Sequence, residues 1–279
     1  MQFGIKTSPQ YTTWGDMLDV WRAADGIELF ESAWNFDHFY PINVPDTSGP
    51  CMEGWVTLAA LAQATSRIRI GCMVNGVVYR HPAVLANMAS ALDVVSNGRL
   101  ELGLGAGWNQ EECDAYGIHL GTLTERFDRF DEAVECIVGL LTQETTNFSG
   151  KYFTLTNARN NPAGVQRPHP PICIGGNGPK RTLAAVAKWA QHWNYAAMDV
   201  EGFAEKRAIL HEHCARIGRN PAEIRTSVHV LYDPKAGFGA WVDKANEFEA
   251  AGVDLAIAYL PSPHRADVVE GLAEAIRGH

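Results

Sequence analysis

Eight short runs with strand character recur along this chain, separated by segments with helical periodicity. They are Phe3–Thr7, Glu31–Phe36, Ile68–Val74, Leu100–Gly105, Ile172–Gly175, His192–Ala196, Thr226–Leu231 and Leu255–Tyr259. Regular alternation of strand and helix gives parallel sheets covered by helices. Eight such units point to a closed α/β structure, a single (β/α)8 TIM-type barrel with loop insertions at its C-terminal mouth, rather than an open sheet. A length of 279 residues is normal for one barrel. We therefore expect one domain over residues 1–279, with Phe3–Thr7 as first strand and Leu255–Tyr259 as last.

The helical segments carry their own punctuation. In Pro82–Ser96, Leu85, Met88, Leu92 and Val95 share a face, and Asn97-Gly98 supplies a C-terminal stop. Thr122-Leu-Thr-Glu125 is a capping box opening a helix whose apolar stripe is Phe127, Phe130, Val134, Ile137 and Leu141. Further helices are expected over Trp14–Asp25, Pro179–Ala190, Phe203–Ile217, Ala240–Ala251 and Arg265–Arg277. Phe39–Trp55 and Tyr152–Pro171 are rich in Pro, Gly and Asn and read as long loops.

Composition removes several classes of function. No stretch approaches the roughly eighteen apolar residues of a membrane span. The start, Met1-Gln-Phe-Gly-Ile-Lys6, reads as a strand and not as a basic-then-apolar leader. A net charge of −9 without a basic run argues against a nucleic-acid partner. The six cysteines are scattered without a Cys-x-x-Cys pair, as in a reduced, cytoplasmic protein. The ten histidines show no metal spacing; His211 and His213 point to different faces of their helix. The expectation is a cytoplasmic protein that binds a small molecule, holds no metal and forms a homodimer.

Four clusters fall at or beyond strand ends, where parallel α/β proteins bind ligands. Leu100-Glu-Leu-Gly-Leu-Gly-Ala-Gly-Trp108 turns its leucines toward helices and leaves little side-chain bulk on the other face, suiting either a flat ligand or a tight turn. In Phe36-Asp-His-Phe-Tyr-Pro41, Asp37 stands beside His38, an imidazole able to exchange protons near neutral pH or to serve only the fold. Gly71-Cys-Met-Val-Asn-Gly76 follows the third strand and reads otherwise as a turn. Ile174-Gly-Gly-Asn-Gly-Pro-Lys-Arg-Thr182 leaves a strand through glycines and enters a helix at Pro179, placing Lys180 and Arg181 in the first turn. Cations are disfavoured there unless an anion joins them, so a phosphate on these N–H groups is favoured over two solvated side chains. No paired carboxylates or Schiff-base lysine are expected at strand ends; Lys6 reads as too near a strand start.

Five segments, in order, carry a resemblance. They are Phe30-Glu-Ser-Ala-Trp-Asn-Phe-Asp-His-Phe39, Arg67-Ile-Arg-Ile-Gly-Cys-Met-Val74, Tyr79-Arg-His-Pro-Ala83, Asn97 to Trp108 and Pro171-Ile-Cys-Ile-Gly-Gly176. The chain resembles the bacterial luciferase-like monooxygenase superfamily, especially its deazaflavin-dependent oxidoreductases. The resemblance implies a TIM-type barrel with a flavin or deazaflavin ring at the C-terminal mouth and a non-prolyl cis bond within Cys72–Val74. It implies that Met73, Val74, Asn75, Gly105, Ala106 and Gly107 border the ring. Gly175, Gly176, Asn177 and Gly178, with Arg181, would receive the phosphate end, and His38 would be the catalytic acid/base.

One departure narrows the substrate. The sugar-phosphate dehydrogenases of that branch place a catalytic Glu just after the fourth-strand glycines. Trp108 and Asn109 stand there in this chain, with Glu111 and Glu112 further on. Tyr40-Pro41-Ile42 also replaces a tryptophan of those enzymes. Trp34, Phe39, Tyr40, Trp55, Tyr79 and Trp108 instead suit an apolar or aromatic substrate. The expected function is hydride transfer between coenzyme F420 and such a molecule. The alternatives are an FMN-dependent monooxygenase supplied by a separate reductase and a non-catalytic flavin-binding protein.

Overall fold

The computed structural model describes residues 1–278. Its barrel strands are β1 (Gln2–Lys6), β2 (Phe30–Asn35), β3 (Arg69–Cys72), β4 (Leu100–Gly105), β5 (Ile172–Gly175), β6 (His192–Tyr195), β7 (Arg225–Leu231) and β8 (Leu255–Tyr259). All neighbours are parallel. β1 pairs with both β2 and β8, and β3 with β4, so the sheet closes on itself. The expected (β/α)8 barrel is thus the observed one. The helices are α1 (Trp14–Gly26), α2 (Gly54–Ala64), α3 (Pro82–Val95), α4 (Gln110–Tyr116), α5 (Leu123–Thr142), α6 (Thr182–Trp189), α7 (Val200–Arg216), α8 (Gly237–Ala250) and α9 (Ala266–Gly278). Among the described residues, no helix is long and apolar enough to cross a membrane, and no group of three or more His, Cys, Asp or Glu is placed to hold a metal.

The local signals act as their chemistry dictates. Thr122 Oγ1 accepts from Glu125 N–H at 3.2 Å while the Glu125 carboxylate accepts from Thr122 N–H at 2.8 Å, closing the capping box of α5. Asn97 and Gly98 both have positive φ, 55° and 78°, and end α3. Leu100, Leu102 and Leu104 are buried against the helices. Local expectations fail at four places. Thr146–Ser149 and Thr154–Ala158 form an antiparallel hairpin partly inside the supposed loop Tyr152–Pro171, with Leu155 buried on the core. Two helices, α2 of eleven residues and α4 of seven, were not anticipated. Pro179 does not begin α6, because Leu183 N–H bonds the Gly178 carbonyl at 3.0 Å and the helix starts at Thr182, with Arg181 at its N-cap.

Beyond β3 the chain bulges through a cis Met73–Val74 peptide, inside the expected segment. The bulge fills the bare face of β4. A Cβ on Gly103 would collide with the Cys72 carbonyl, and Cβ atoms on Gly105 and Gly175 would stand 2.7 and 3.0 Å from the Val74 methyls. These glycines are needed by a neighbouring backbone segment, and not only by a flat ligand.

A polar chain crosses the barrel interior. Arg69 Nε donates to Glu101 Oε1 at 2.6 Å, Glu101 Oε2 meets His192 Nδ1 at 2.9 Å, and His192 Nε2 meets Ser227 Oγ at 2.6 Å. Burial alone would raise the Glu101 pKa; His192 and Arg69 outweigh it and hold it at about 2. A carboxyl depressed in the folded state adds stability that is present above its unfolded pKa and lost as pH falls through the folded one. Linkage makes this on the order of 3 kcal/mol at neutral pH. Glu101→Gln should lower neutral-pH stability by that order and flatten its decline between about pH 5 and 2. Urea unfolding across that range, with an unchanged decline in the variant, would remove Glu101 from the account.

Candidate active site

The C-terminal ends of the strands open into a cavity of about 1680 Å³. His38 lies in its wall just past β2, only 8 % exposed. Its Nδ1 is 2.6 Å from Glu112 Oε1. Glu112 is fully buried and also accepts from the Phe39 N–H at 2.9 Å and from the Tyr79 hydroxyl. Burial would raise its pKa, but the hydrogen bond and charge of His38, with Tyr79 and Phe39, bring it below the usual carboxylate value. The Tyr79 hydroxyl is pushed far up by burial and by its bond to Glu112, so it remains a donor. An ionised Glu112 keeps the proton on His38 Nδ1. Nε2 has no hydrogen-bond partner among the described residues and is left for a ligand. Phe36 and Trp108 meet the imidazole edge-on at 5.2 and 5.4 Å.

In the sequence Glu112 stood out only as a carboxylate a few residues beyond Trp108. Asn109 caps α4 by accepting from Glu112 N–H at 3.4 Å, so Glu112 occupies the third helical position. A Glu there ordinarily reaches back to the cap. Here it turns to His38 instead. Asp37 points away from His38, as adjacent residues in extended chain do. It is fully buried and paired with Arg80 Nη1 at 2.6 Å, while Oδ1 has no partner.

The expected ring-bordering residues divide. Met73, Val74, Gly105, Ala106 and Gly107 line the cavity. Asn75 does not; it is 1 % exposed and ties Trp55 Nε1, at 2.5 Å, to the Gly103 carbonyl, at 2.6 Å. Tyr79 and Trp108 line the cavity, but Trp34 is buried within the barrel and Trp55 within α2. Phe39 stacks on Tyr116 with ring centroids 5.1 Å apart.

The proposed phosphate end also divides. Gly175 and Gly176 line the cavity, whereas Asn177, Gly178 and Arg181 do not. The Gly176 N–H is already bonded to the Asn194 carbonyl at 3.1 Å, and Asn177 Oδ1 accepts from Ala196 N–H at 2.9 Å. Arg181 is 40 % exposed and held by Asp128 and Asp131 at 2.9 and 2.6 Å, so its charge is already matched. Another arginine lines the same cavity as Gly176 and Thr182. Arg126 donates from Nη1 to the Gly107 carbonyl at 3.0 Å and keeps a buried Nε without a partner. At the opposite side Lys6 is the last residue of β1, at the C-terminal end, and lines the cavity; its dismissal as a strand-start residue was wrong.

Comparison with known proteins bears on this geometry. The family model described as luciferase-like monooxygenase matches residues 1–236. An F420-dependent glucose-6-phosphate dehydrogenase of Amycolatopsis mediterranei is 31 % identical over 193 residues, covering 68 % of this chain and 54 % of that protein. An F420-dependent hydroxymycolic acid dehydrogenase of Mycobacterium tuberculosis is 32 % identical over 198 residues, covering 70 % and 52 %. The chain thus spans about half the length of these curated relatives. Among solved structures, an F420-dependent secondary alcohol dehydrogenase in complex with an F420–acetone adduct superposes with a TM-score of 0.88 at 19 % identity, covering 99 % of this chain and 98 % of that one. At that identity the likeness concerns the fold.

Proposed function

Because this chain belongs to the luciferase-like monooxygenase family, we propose that it is an enzyme moving a hydride between coenzyme F420 and a small, apolar or aromatic organic substrate. The observation that carries the reading is the His38–Glu112 pair, with Nε2 unengaged at the wall of a large cavity. The F420-dependent relatives named above support the choice of cofactor. The residues present fit such a group: the Met73–Val74 bulge and Gly105–Gly107 line the cavity, and Arg126, held at the Gly107 carbonyl, offers an unpartnered buried donor. F420, when bound, supplies the carbon that gives or takes the hydride.

The protein's own part is proton management and enclosure. Glu112 fixes the imidazole so that Nε2 presents a lone pair to a substrate hydroxyl, or an N–H to a carbonyl oxygen in the reverse direction. Phe36, Tyr79 and Trp108 line the cavity beside it and would exclude water once a ligand is seated. The wider reading takes the chain as one domain, acting in the cytoplasm as a homodimer.

Titration against F420 and against FMN, followed by cofactor fluorescence, tests the cofactor. F420 should bind at least tenfold more tightly. Arg126→Met should weaken F420 by about tenfold, the scale of one charge-assisted hydrogen bond. Arg181→Glu should leave affinity within about twofold, because its charge is already matched. Tighter FMN binding would favour the monooxygenase, and a loss confined to Arg181→Glu would return the anion site to α6.

A further inference from the structure

Lys6 is a buried cation facing the cavity without a counter-ion. Its residue is 6 % exposed, and the amine donates to one protein acceptor, the Met73 carbonyl at 3.0 Å. It also stands 4.9 Å from the centre of the Tyr259 ring. No carboxylate lies within ion-pairing distance among the described residues. His229 shares this end of the cavity, with Nε2 3.0 Å from Met73 Sδ, and burial with the nearby Lys6 charge holds it neutral. A desolvated ammonium is costly unless paired. One carbonyl and one aromatic face leave its remaining N–H directions unanswered.

We propose that Lys6 docks an anionic oxygen of the substrate, so that the molecule this cavity accepts is an amphipathic organic acid. Its apolar body lies along the aromatic wall and its carboxylate closes on the ammonium. This rests on the oxidoreductase reading above and adds the substrate class. The charge fits that use near neutral pH: burial lowers the Lys6 pKa, but only to about 8. Cys72 and Cys173, on β3 and β5, are thiols that burial keeps protonated, and Tyr259 on β8 is likewise pushed up. With His229 on β7 neutral, Lys6 is the positive group that faces the ligand here.

Benzoate and its neutral isostere benzamide are the probes, measured by calorimetry on the cofactor-free protein. Wild type should prefer benzoate at least tenfold. Lys6→Gln keeps a donor for the Met73 carbonyl but loses the charge, so the preference should fall within twofold while Tm does not fall and F420 affinity holds. In wild type, benzoate affinity should fall as pH rises through about 8, where Lys6 loses its proton; this arm needs no variant to fold. Equal binding of the two probes, a preference that survives in Lys6→Gln, or no fall near that pH would overturn the proposal. A parallel loss of F420 affinity in Lys6→Gln would also overturn it, by giving the amine to the cofactor. Failure of wild type to bind F420 would instead sink the F420-dependent reading, and the benzoate result would stand separately.

Discussion

His38→Ala should slow single-turnover hydride transfer by roughly a hundredfold to ten-thousandfold, the usual range for a positioned acid or base, with F420 affinity within about twofold. The reason is geometric. Nε2 is the unengaged polar atom of an imidazole whose other nitrogen is held 2.6 Å from a carboxylate. Glu112→Gln is the sharper test, because it keeps the volume and removes the charge. An amide can donate to Nδ1 as well as accept from it, so the imidazole would no longer be confined to the tautomer that presents a lone pair at Nε2. The Glu112 variant should therefore lose at least a tenfold factor in rate. Stopped-flow absorbance of F420 with a panel of alcohols and aryl acids would read both. Near-normal rates in His38→Ala would remove the pair from the mechanism and leave Tyr79 as the next proton donor at the cavity wall.

Arg80→Met should cost about 3–5 kcal/mol of stability, the penalty for stranding a buried charge. Asp37 is fully buried, has one oxygen without a partner, and among the described residues is ion-paired with Arg80 alone. Burial already pushes its carboxyl up despite the Arg80 charge beside it. A carboxyl whose folded pKa lies above its unfolded value weighs against folding once pH exceeds that unfolded value. Without Arg80 the deficit should therefore be largest at neutral pH and shrink as pH falls toward the ordinary carboxylate range. The exposed Arg181–Asp131 pair is the control, and Asp131→Asn should change stability by less than about 1 kcal/mol. Urea unfolding at pH 7 and 5 measures both. A loss below 1 kcal/mol in Arg80→Met would mean that Asp37 protonates or finds water at little cost. Asp37 adjoins His38, so the same variant should also disturb the catalytic pair, which the F420 rate assay would detect.

The barrel was legible because its signals are local. Leu100, Leu102 and Leu104 alternate with residues that point inward, Thr122 and Glu125 close a cap across three residues, and Asn97-Gly98 adopts the left-handed turn its small side chains permit. What failed locally was marginal structure. The hairpin around Leu155 depends on packing against the core, and α6 begins three residues after Pro179 because the Gly178 carbonyl captures Leu183 N–H.

The chain by itself thus determined the alternation of strands and helices, the closure count of eight, and His38 with the glycine-rich strand ends as the place to look. Backbone preference and side-chain periodicity decide those matters over a few residues. Partnership among charges was decided only by the closed barrel. Glu112 reaches His38 across 74 residues of sequence, Asp128 and Asp131 neutralise the arginine that the glycine loop had recommended, and Arg126 and Lys6 are left facing the cavity. A charge's role depends on what stands within a few ångströms of it and how much water remains there, and neither quantity exists until the strands have closed.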